Sequence, residues 1–101
     1  LSYRRLSGLN IPMQALRFTL YSRSYCHLCH DMLEQLQAAL STRPHQIEVI
    51  DIDQEGQEAL LAQYDELVPV LCAWMNDGTQ QRLCHYFLDH AKLNAFLSEP
   101  V

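Results

Sequence analysis

Apolar residues change their spacing several times along this chain, and each change marks an element. Leu16-Arg17-Phe18-Thr19-Leu20-Tyr21 mixes aromatic and β-branched residues, the content of a short strand. Ser22-Arg23-Ser24-Tyr25 then reads as a loop. From Cys26 the period becomes helical: Cys29, Met32, Leu33, Leu36, Ala39 and Leu40 share one face, and His30, Glu34, Gln37 and Ser41 the other. Arg43-Pro44 ends that helix, because proline cannot continue it and restricts the residue before it. Gln46 to Asp53 reads as a second strand. Gly56 to Tyr64 is a second helix, with Leu60, Leu61 and Tyr64 inward, and Val68-Pro69 stops it.

Val70 to Met75 is a third strand, mostly apolar and so expected at the centre of a sheet. Asn76-Asp77-Gly78 carries the Asp-Gly signal of a hairpin turn, and Arg82 to Phe87 is the returning strand. Asp89 is placed to cap a last helix, with Leu88 before it and Leu93 four residues after it as a hydrophobic staple. Leu93, Phe96 and Leu97 form that helix's inner face. The order is β-α-β-α-β-β-α: a βαβ unit, for which a parallel crossover is expected, then a hairpin and a closing helix. This predicts an α/β domain with a mixed four-stranded sheet and three helices over residues 16–98. Residues 1–15 have no clean period and are expected to be a poorly ordered leader, and residues 99–101 a tail.

Size and composition narrow the class. The chain has 101 residues, of which 49% are hydrophobic and 19% charged, enough for one small domain with its own core. No apolar run approaches the roughly 20 residues of a membrane span. The formal net charge of −5 is a poor start for nucleic-acid binding, which leaves a basic footprint. The first thirty residues nonetheless carry Arg4, Arg5, Arg17 and Arg23 and no acid. Such a start resembles a targeting segment in charge but lacks the apolar core and cleavage site of one. A cytoplasmic setting is expected, and there a close cysteine pair is more often redox-active or metal-binding than structural.

Cys26-His27-Leu28-Cys29 sits where a strand gives way to a helix. A helix N-terminus presents unsatisfied N–H groups and roughly half a positive charge, which stabilises a thiolate. The thiolate is the attacking species in disulfide exchange. Cys29 shares the inward stripe with Leu33, Leu36 and Leu40, whereas Cys26 lies on the loop side. Cys26 is therefore expected to be the nucleophile and Cys29 the resolving thiol. Arg23 and a protonated His27 would add positive charge nearby. Pro69, after Val68 at the start of the central strand, is a candidate cis peptide.

These features together resemble the thioredoxin superfamily, and within it the small glutaredoxin-like proteins. The resemblance runs from about Leu16 to Leu97. It rests on Phe18-Thr19-Leu20-Tyr21-Ser22-Arg23, Tyr25-Cys26-His27-Leu28-Cys29 and Leu67-Val68-Pro69-Val70. It implies a cis Pro69 against the Cys26 sulfur and a Val68 backbone that pairs with an extended thiol substrate. Arg23, Tyr25, His27, Val68, Pro69 and Asp89 are then the substrate-binding candidates. The implied activity is thiol–disulfide exchange on protein or small-molecule disulfides. Two stretches depart from the glutaredoxin pattern. His27-Leu28 replace the usual Pro-Tyr. Tyr86-Phe87-Leu88-Asp89 stands where glutaredoxins carry a Gly-Gly pair against glutathione, with Asp89 matching the acidic end. No resident cofactor is expected, and the missing glycines count against glutathione as co-substrate.

Rival readings use the same cysteines. Cys26 to His30 also fits the Cys-x-x-Cys-His pattern of haem attachment. Zinc would need a second ligand pair, for which Cys84 and His85 are candidates on alternate faces of one strand. An iron–sulfur cluster shared between subunits is a further alternative, as is a non-catalytic binding module using the Val68-Pro69 groove. Asp51 and Asp53 are expected to cap a loop, Trp74 and Tyr86 to lie in the core, and His45, His85 and His90 to be ordinary surface or half-buried residues. Whether Cys72 and Cys84 face each other depends on a hairpin register the sequence leaves open.

Overall fold

The computed structural model describes residues 16–98; the leader and tail expected at 1–15 and 99–101 lie outside these. The elements are β1 (Leu16–Ser22), α1 (His27–Ala39), β2 (His45–Asp51), α2 (Glu58–Tyr64), β3 (Val70–Trp74), β4 (Gln80–His85) and α3 (His90–Ser98). The strands form one mixed sheet in the order β2-β1-β3-β4. β1 runs parallel to β2, from Leu16 opposite His45 to Ser22 opposite Asp51. It runs antiparallel to β3, with Phe18 opposite Ala73 and Tyr21 opposite Val70. None of the described helices is long and apolar enough to cross a membrane.

The period-two pattern divides the core between the two faces of the sheet. On one face Phe18 and Leu20 of β1 and Leu71 and Ala73 of β3 meet Met32 and Leu36 from α1, Leu40 just after it and Leu93 from α3. The Phe96 ring stands edge-on to Phe18, centroids 5.8 Å apart. On the other face Tyr21, Val70 and Cys72 pack with Ile52 and with Tyr64 of α2. Thr19, also fully buried, accepts a hydrogen bond from Trp74 Nε1 at 3.0 Å. β1 and β3 are covered on both sides, which is why both read as apolar runs.

The fourth strand differs most from its expected position. It begins at Gln80 and ends at His85, two residues earlier than the expected Arg82 to Phe87 at both ends. The Asp77-Gly78 turn explains the start: Met75 N–H donates to the Thr79 carbonyl at 2.8 Å, and Gly78 takes the positive φ of +88° that the turn requires. A bulge changes the register between Leu71, opposite Cys84, and Cys72, opposite Arg82. The extra residue is Leu83, and it brings Leu83 and Cys84 together into the core shared with α1 and α3. Cys72 belongs to the α2 face. The two thiols therefore sit on opposite sides of the sheet, free and buried.

Smaller boundary shifts have local causes. α1 stops at Ala39, earlier than Arg43, because Ser41 and Arg43 bond back to Ala38 and Leu40 in a tightening turn. Ala39 is exposed rather than inward. β2 ends at Asp51, whose carboxylate accepts from the Asp53 N–H at 2.9 Å and turns the chain. Gly56 takes φ +90° before α2, which starts at Glu58.

Three loops meet at one end of the sheet. β1 leaves at Ser22, β3 enters at Val70 opposite Tyr21, and β4 leaves at His85 opposite Val70. Ile52 N–H donates to the Ser22 carbonyl at 2.9 Å, which adds the loop after β2. Arg23, Tyr25, Cys26, Val68 and Pro69 lie on these loops, and Cys29 on the first turn of the helix that follows the first of them.

Candidate functional site

Cys26 is the N-cap of α1. Its backbone is extended (φ −107°, ψ 104°), and its carbonyl accepts from His30 N–H at 3.2 Å. Its Sγ accepts from the Cys29 N–H at 3.1 Å, so a sulfur occupies the place usually taken by a serine or aspartate oxygen. Cys26 and Cys29 are joined as a disulfide, with Cα atoms 5.2 Å apart. Cys26 is half-buried, whereas Cys29 is 5% exposed and belongs to the inner stripe of α1. This is the asymmetry expected from the helical period.

The loop before Cys26 is held from outside. Arg23 donates through Nε and Nη2 to both carboxylate oxygens of Asp53, at 3.0 and 2.8 Å. Its Nη1 reaches the Asp65 carboxylate and carbonyl, each at 3.1 Å. One guanidinium thus ties the β1–α1 loop to the loop after β2 and to the end of α2. The same hydrogen bonds hold the Asp53 carboxyl below its usual range and raise the guanidinium further. The positive charge expected from Arg23 is therefore shared with two carboxylates and not left to the sulfur. Asp51 also holds the loop, accepting from the Ser24 hydroxyl at 3.3 Å, so Asp51 and Asp53 cap and brace.

Tyr25 and Tyr86 flank the pair and are the described non-glycine residues with positive φ, +59° and +65°. Such a backbone is uncommon outside glycine, asparagine and aspartate. Tyr25 is fully exposed. Tyr86, expected in the core, is not there. Its left-handed backbone ends the strand and turns the ring out, so that its hydroxyl donates to the Glu66 carbonyl. Its N–H donates to the Pro69 carbonyl at 2.9 Å. Tyr86 thus grips the Glu66–Pro69 segment by side chain and main chain. Trp74 is half-buried.

The Val68–Pro69 bond is cis, and Pro69 is buried at the mouth of β3. Neither the N–H nor the carbonyl of Val68 bonds to another described residue. His27 and Leu28 are exposed on the first turn of α1. Asp89 caps α3: its Oδ1 accepts from Lys92 N–H at 3.0 Å, and Leu88 and Leu93 are buried together. His85 and His90 are exposed and His45 is half-buried. Among the described residues no three His, Cys, Asp or Glu side chains converge as a metal site would need. The Arg23–Asp53–Asp65 brace and the Tyr86 grip escaped the sequence reading; only the aspartates near the loop ends hinted at the first.

The chain has a cysteine pair at a strand–helix junction and a cis-proline at the start of a central strand. Residues 17–98 match the family described as Glutaredoxin-like domain (DUF836). The chain belongs to this glutaredoxin-like family. Protein Ne2328 from Nitrosomonas europaea is 38% identical, with a TM-score of 0.71 over 89% of this chain and 100% of that one. The target protein XcR50 from X. campestris is 30% identical, with a TM-score of 0.53 over 82% of this chain and 99% of that one. Thioredoxin O2 from Arabidopsis thaliana, in its oxidized state, is 15% identical over 82% of this chain and 72% of that one, and its TM-score of 0.60 shows the shared thioredoxin fold. No curated protein matches the chain. The chain is thus a glutaredoxin-like domain of thioredoxin fold that carries a Cys26–Cys29 pair.

Proposed function

We propose that this glutaredoxin-like protein is a thiol–disulfide oxidoreductase working through Cys26 and Cys29. The observation that carries the reading is the Cys29 N–H aimed at the half-exposed Cys26 sulfur, with Cys29 itself buried. In the reduced protein the same N–H and the start of α1 favour the Cys26 thiolate. That thiolate attacks one sulfur of a substrate disulfide. A mixed disulfide forms, and the other substrate sulfur leaves as a thiolate and takes a proton from solvent. Cys29, having lost its own proton, then attacks the Cys26 sulfur. The second substrate thiol is released, and the Cys26–Cys29 disulfide remains. The substrate gains two electrons and the protein loses two; an external thiol returns them by the reverse sequence.

The remaining candidates position the substrate. The unbonded main chain of Val68 offers an edge for an extended segment, as in strand addition. Pro69 shapes that edge, Tyr25 and His27 border the sulfur, Arg23 holds the loop, and Asp89 fixes the start of α3. Protein or small-molecule disulfides are the partners and the cytoplasm the working compartment. The test is the Cys26–Cys29 reduction potential, measured in graded thiol buffers by alkylation and mass spectrometry. A single two-electron transition between about −120 and −270 mV is expected. A pair still oxidised below about −300 mV, or one that never forms, would overturn the reading in favour of a structural staple or a metal site. A binding module would keep capturing its partner after loss of both cysteines.

A further inference from the structure

Among the described residues the large apolar side chains that stay exposed are Tyr25, Leu28, Val49, Tyr86 and Phe87. All of them line two grooves beside the cysteine pair. The first, about 210 Å³, takes in Tyr25 and Val49 together with Cys26, Cys29 and His30. The second, about 230 Å³, takes in Leu28, Tyr86 and Phe87 with Asp31 and Gln35. Cys29 and Leu33 line the first groove and Leu28 and Gln35 the second, so the two grooves flank α1, the helix that carries the cysteine pair, on opposite faces. Apolar surface gathered in this way marks a binding face, since scattered exposed residues would not converge.

The charges of the grooves are equally one-sided. Their cations are Arg23 and, when protonated, His30. Arg23 is held by Asp53 at 2.8 Å and Asp65 at 3.1 Å. His30 faces Glu34 at 3.3 Å. Asp31 in the second groove enters no ion pair with another described residue. A ligand with carboxylates finds the cations lining both grooves already paired, with His27 beside the sulfur the one imidazole left, and a ligand with an ammonium or guanidinium meets Asp31.

We propose that the physiological substrate is an extended polypeptide disulfide. It carries an apolar side chain on each side of its reacting cysteine and a basic residue nearby, and it is preferred over glutathione. This rests on the exchange activity proposed above. Glutathione bears two carboxylates and no large apolar group, and its one ammonium shares a carbon with a carboxylate, so it fills neither groove and brings negative charge to Asp31 along with its positive one. An apolar peptide fills both while its backbone lies along Val68, and a lysine or arginine beside the leucine or phenylalanine reaches Asp31.

The test is the second-order rate constant for oxidation of the reduced dithiol in a single turnover. Four disulfides serve as probes: glutathione disulfide, 2-hydroxyethyl disulfide, a peptide disulfide with Leu, Phe and Lys around the cysteine, and the same peptide with Ser and Glu. The apolar basic peptide should react at least about tenfold faster than the Ser/Glu peptide and than glutathione disulfide, the discrimination a filled apolar pocket supplies. Phe87 is 68% and Leu28 37% exposed, so Phe87→Ser and Leu28→Ser leave the core untouched. The double variant should reduce that preference to within about threefold, as expected when the apolar contact is lost. Asp31→Asn should narrow the gap between the Leu/Phe/Lys peptide and its Ser/Glu counterpart, and an unchanged gap would strike the basic residue from the proposal. Glutathione disulfide reacting as fast as the apolar peptide, or a preference that survives the double variant, would overturn the proposal. If no probe reacts, 2-hydroxyethyl disulfide included, the exchange reading itself fails.

Discussion

The Cys29 amide donates to the Cys26 sulfur across 3.1 Å, so the backbone of the residue proposed to resolve holds the sulfur proposed to attack. One sulfur faces outward with a donor aimed at it, and the other lies buried behind it. The two positions are not interchangeable, and neither are their substitutions. Cys26→Ser should abolish exchange. Cys29→Ser should keep the first attack and accumulate a mixed disulfide, seen as a stable mass adduct of the substrate thiol. Normal turnover by Cys29→Ser would show that the two-thiol mechanism is wrong.

The remaining thiols should be silent in the native state. Burial pushes the Cys72 and Cys84 thiols above their ordinary value, and each lies inside the sheet's packing on its own face. Brief alkylation of the reduced, folded protein near neutral pH should label Cys26 first and leave these two unlabelled until denaturant is added. Peptide mapping reads the order. Equal labelling of Cys72 in the native protein would show that the α2 face opens far more readily than its packing allows.

Some of this was legible in the residues, and the reasons differ element by element. The switch from period two in Phe18–Tyr21 to the helical spacing of Cys29, Met32 and Leu36 is local, so strand, helix and cysteine placement could all be read. Asp89 was equally local, because the cap and its staple lie within the short run from Leu88 to Leu93. The bulge at Leu83 was not legible. It depends on which residue of β3 each residue of β4 meets, and it decides that Cys72 and Cys84 part. Tyr86 was misplaced because Tyr-Phe-Leu reads as strand core; a φ of +65° turns its ring away, and nothing in the side chain announces that. Arg23 finds Asp53 and Asp65 thirty and forty-two residues away, a pairing that the assembled sheet creates.

Asp89 separates stability from binding. Its carboxylate accepts the Lys92 N–H, and asparagine caps a helix about as well as aspartate. Asp89→Ala should lower stability by about 0.5–2 kcal/mol in denaturant titration. Asp89→Asn should stay within about 0.5 kcal/mol of the parent. If Asp89 touches substrate as well, Asp89→Asn will slow exchange while leaving stability alone. Equal stability of the alanine variant would dismiss the cap.

The Arg23 brace should show itself in acid. Hydrogen bonds from Arg23 lower the folded Asp53 carboxyl below its unfolded value. Its stabilising contribution is therefore complete above the unfolded value, near about 4, and is lost as pH falls through the folded one. Arg23→Gln removes the cause of the shift. The variant's denaturation midpoint should fall less steeply than the parent's between about pH 4 and pH 2. Asp77, lowered by its Thr79 hydrogen bonds, stays in both proteins and cancels in the comparison. Parallel curves would mean that the ion pair does not persist in solution.

Tyr86 offers the sharpest separation of a local contact from its effect on chemistry. Its hydroxyl donates to Glu66 and its N–H to Pro69, so the segment carrying Val68 is held at both ends by one residue. Tyr86→Phe removes only the hydroxyl contact and keeps the ring and the main-chain bond. Because the residue is partly exposed, the stability cost should be about 0.5–1 kcal/mol, the low side for a hydrogen bond. The larger effect should fall on order in the loop. Amide hydrogen exchange across residues 66–68 should speed up, and exchange with a peptide disulfide should slow more than exchange with 2-hydroxyethyl disulfide, which needs no strand edge. Tyr86→Ala and Tyr86→Gly both lose the ring and only glycine relieves the left-handed backbone, so the difference between them tests the φ of +65°. If Tyr86→Phe slows both substrates equally, the hydroxyl acts on the dithiol rather than on the peptide edge. If it changes neither loop exchange nor turnover, the grip has no part in the reaction.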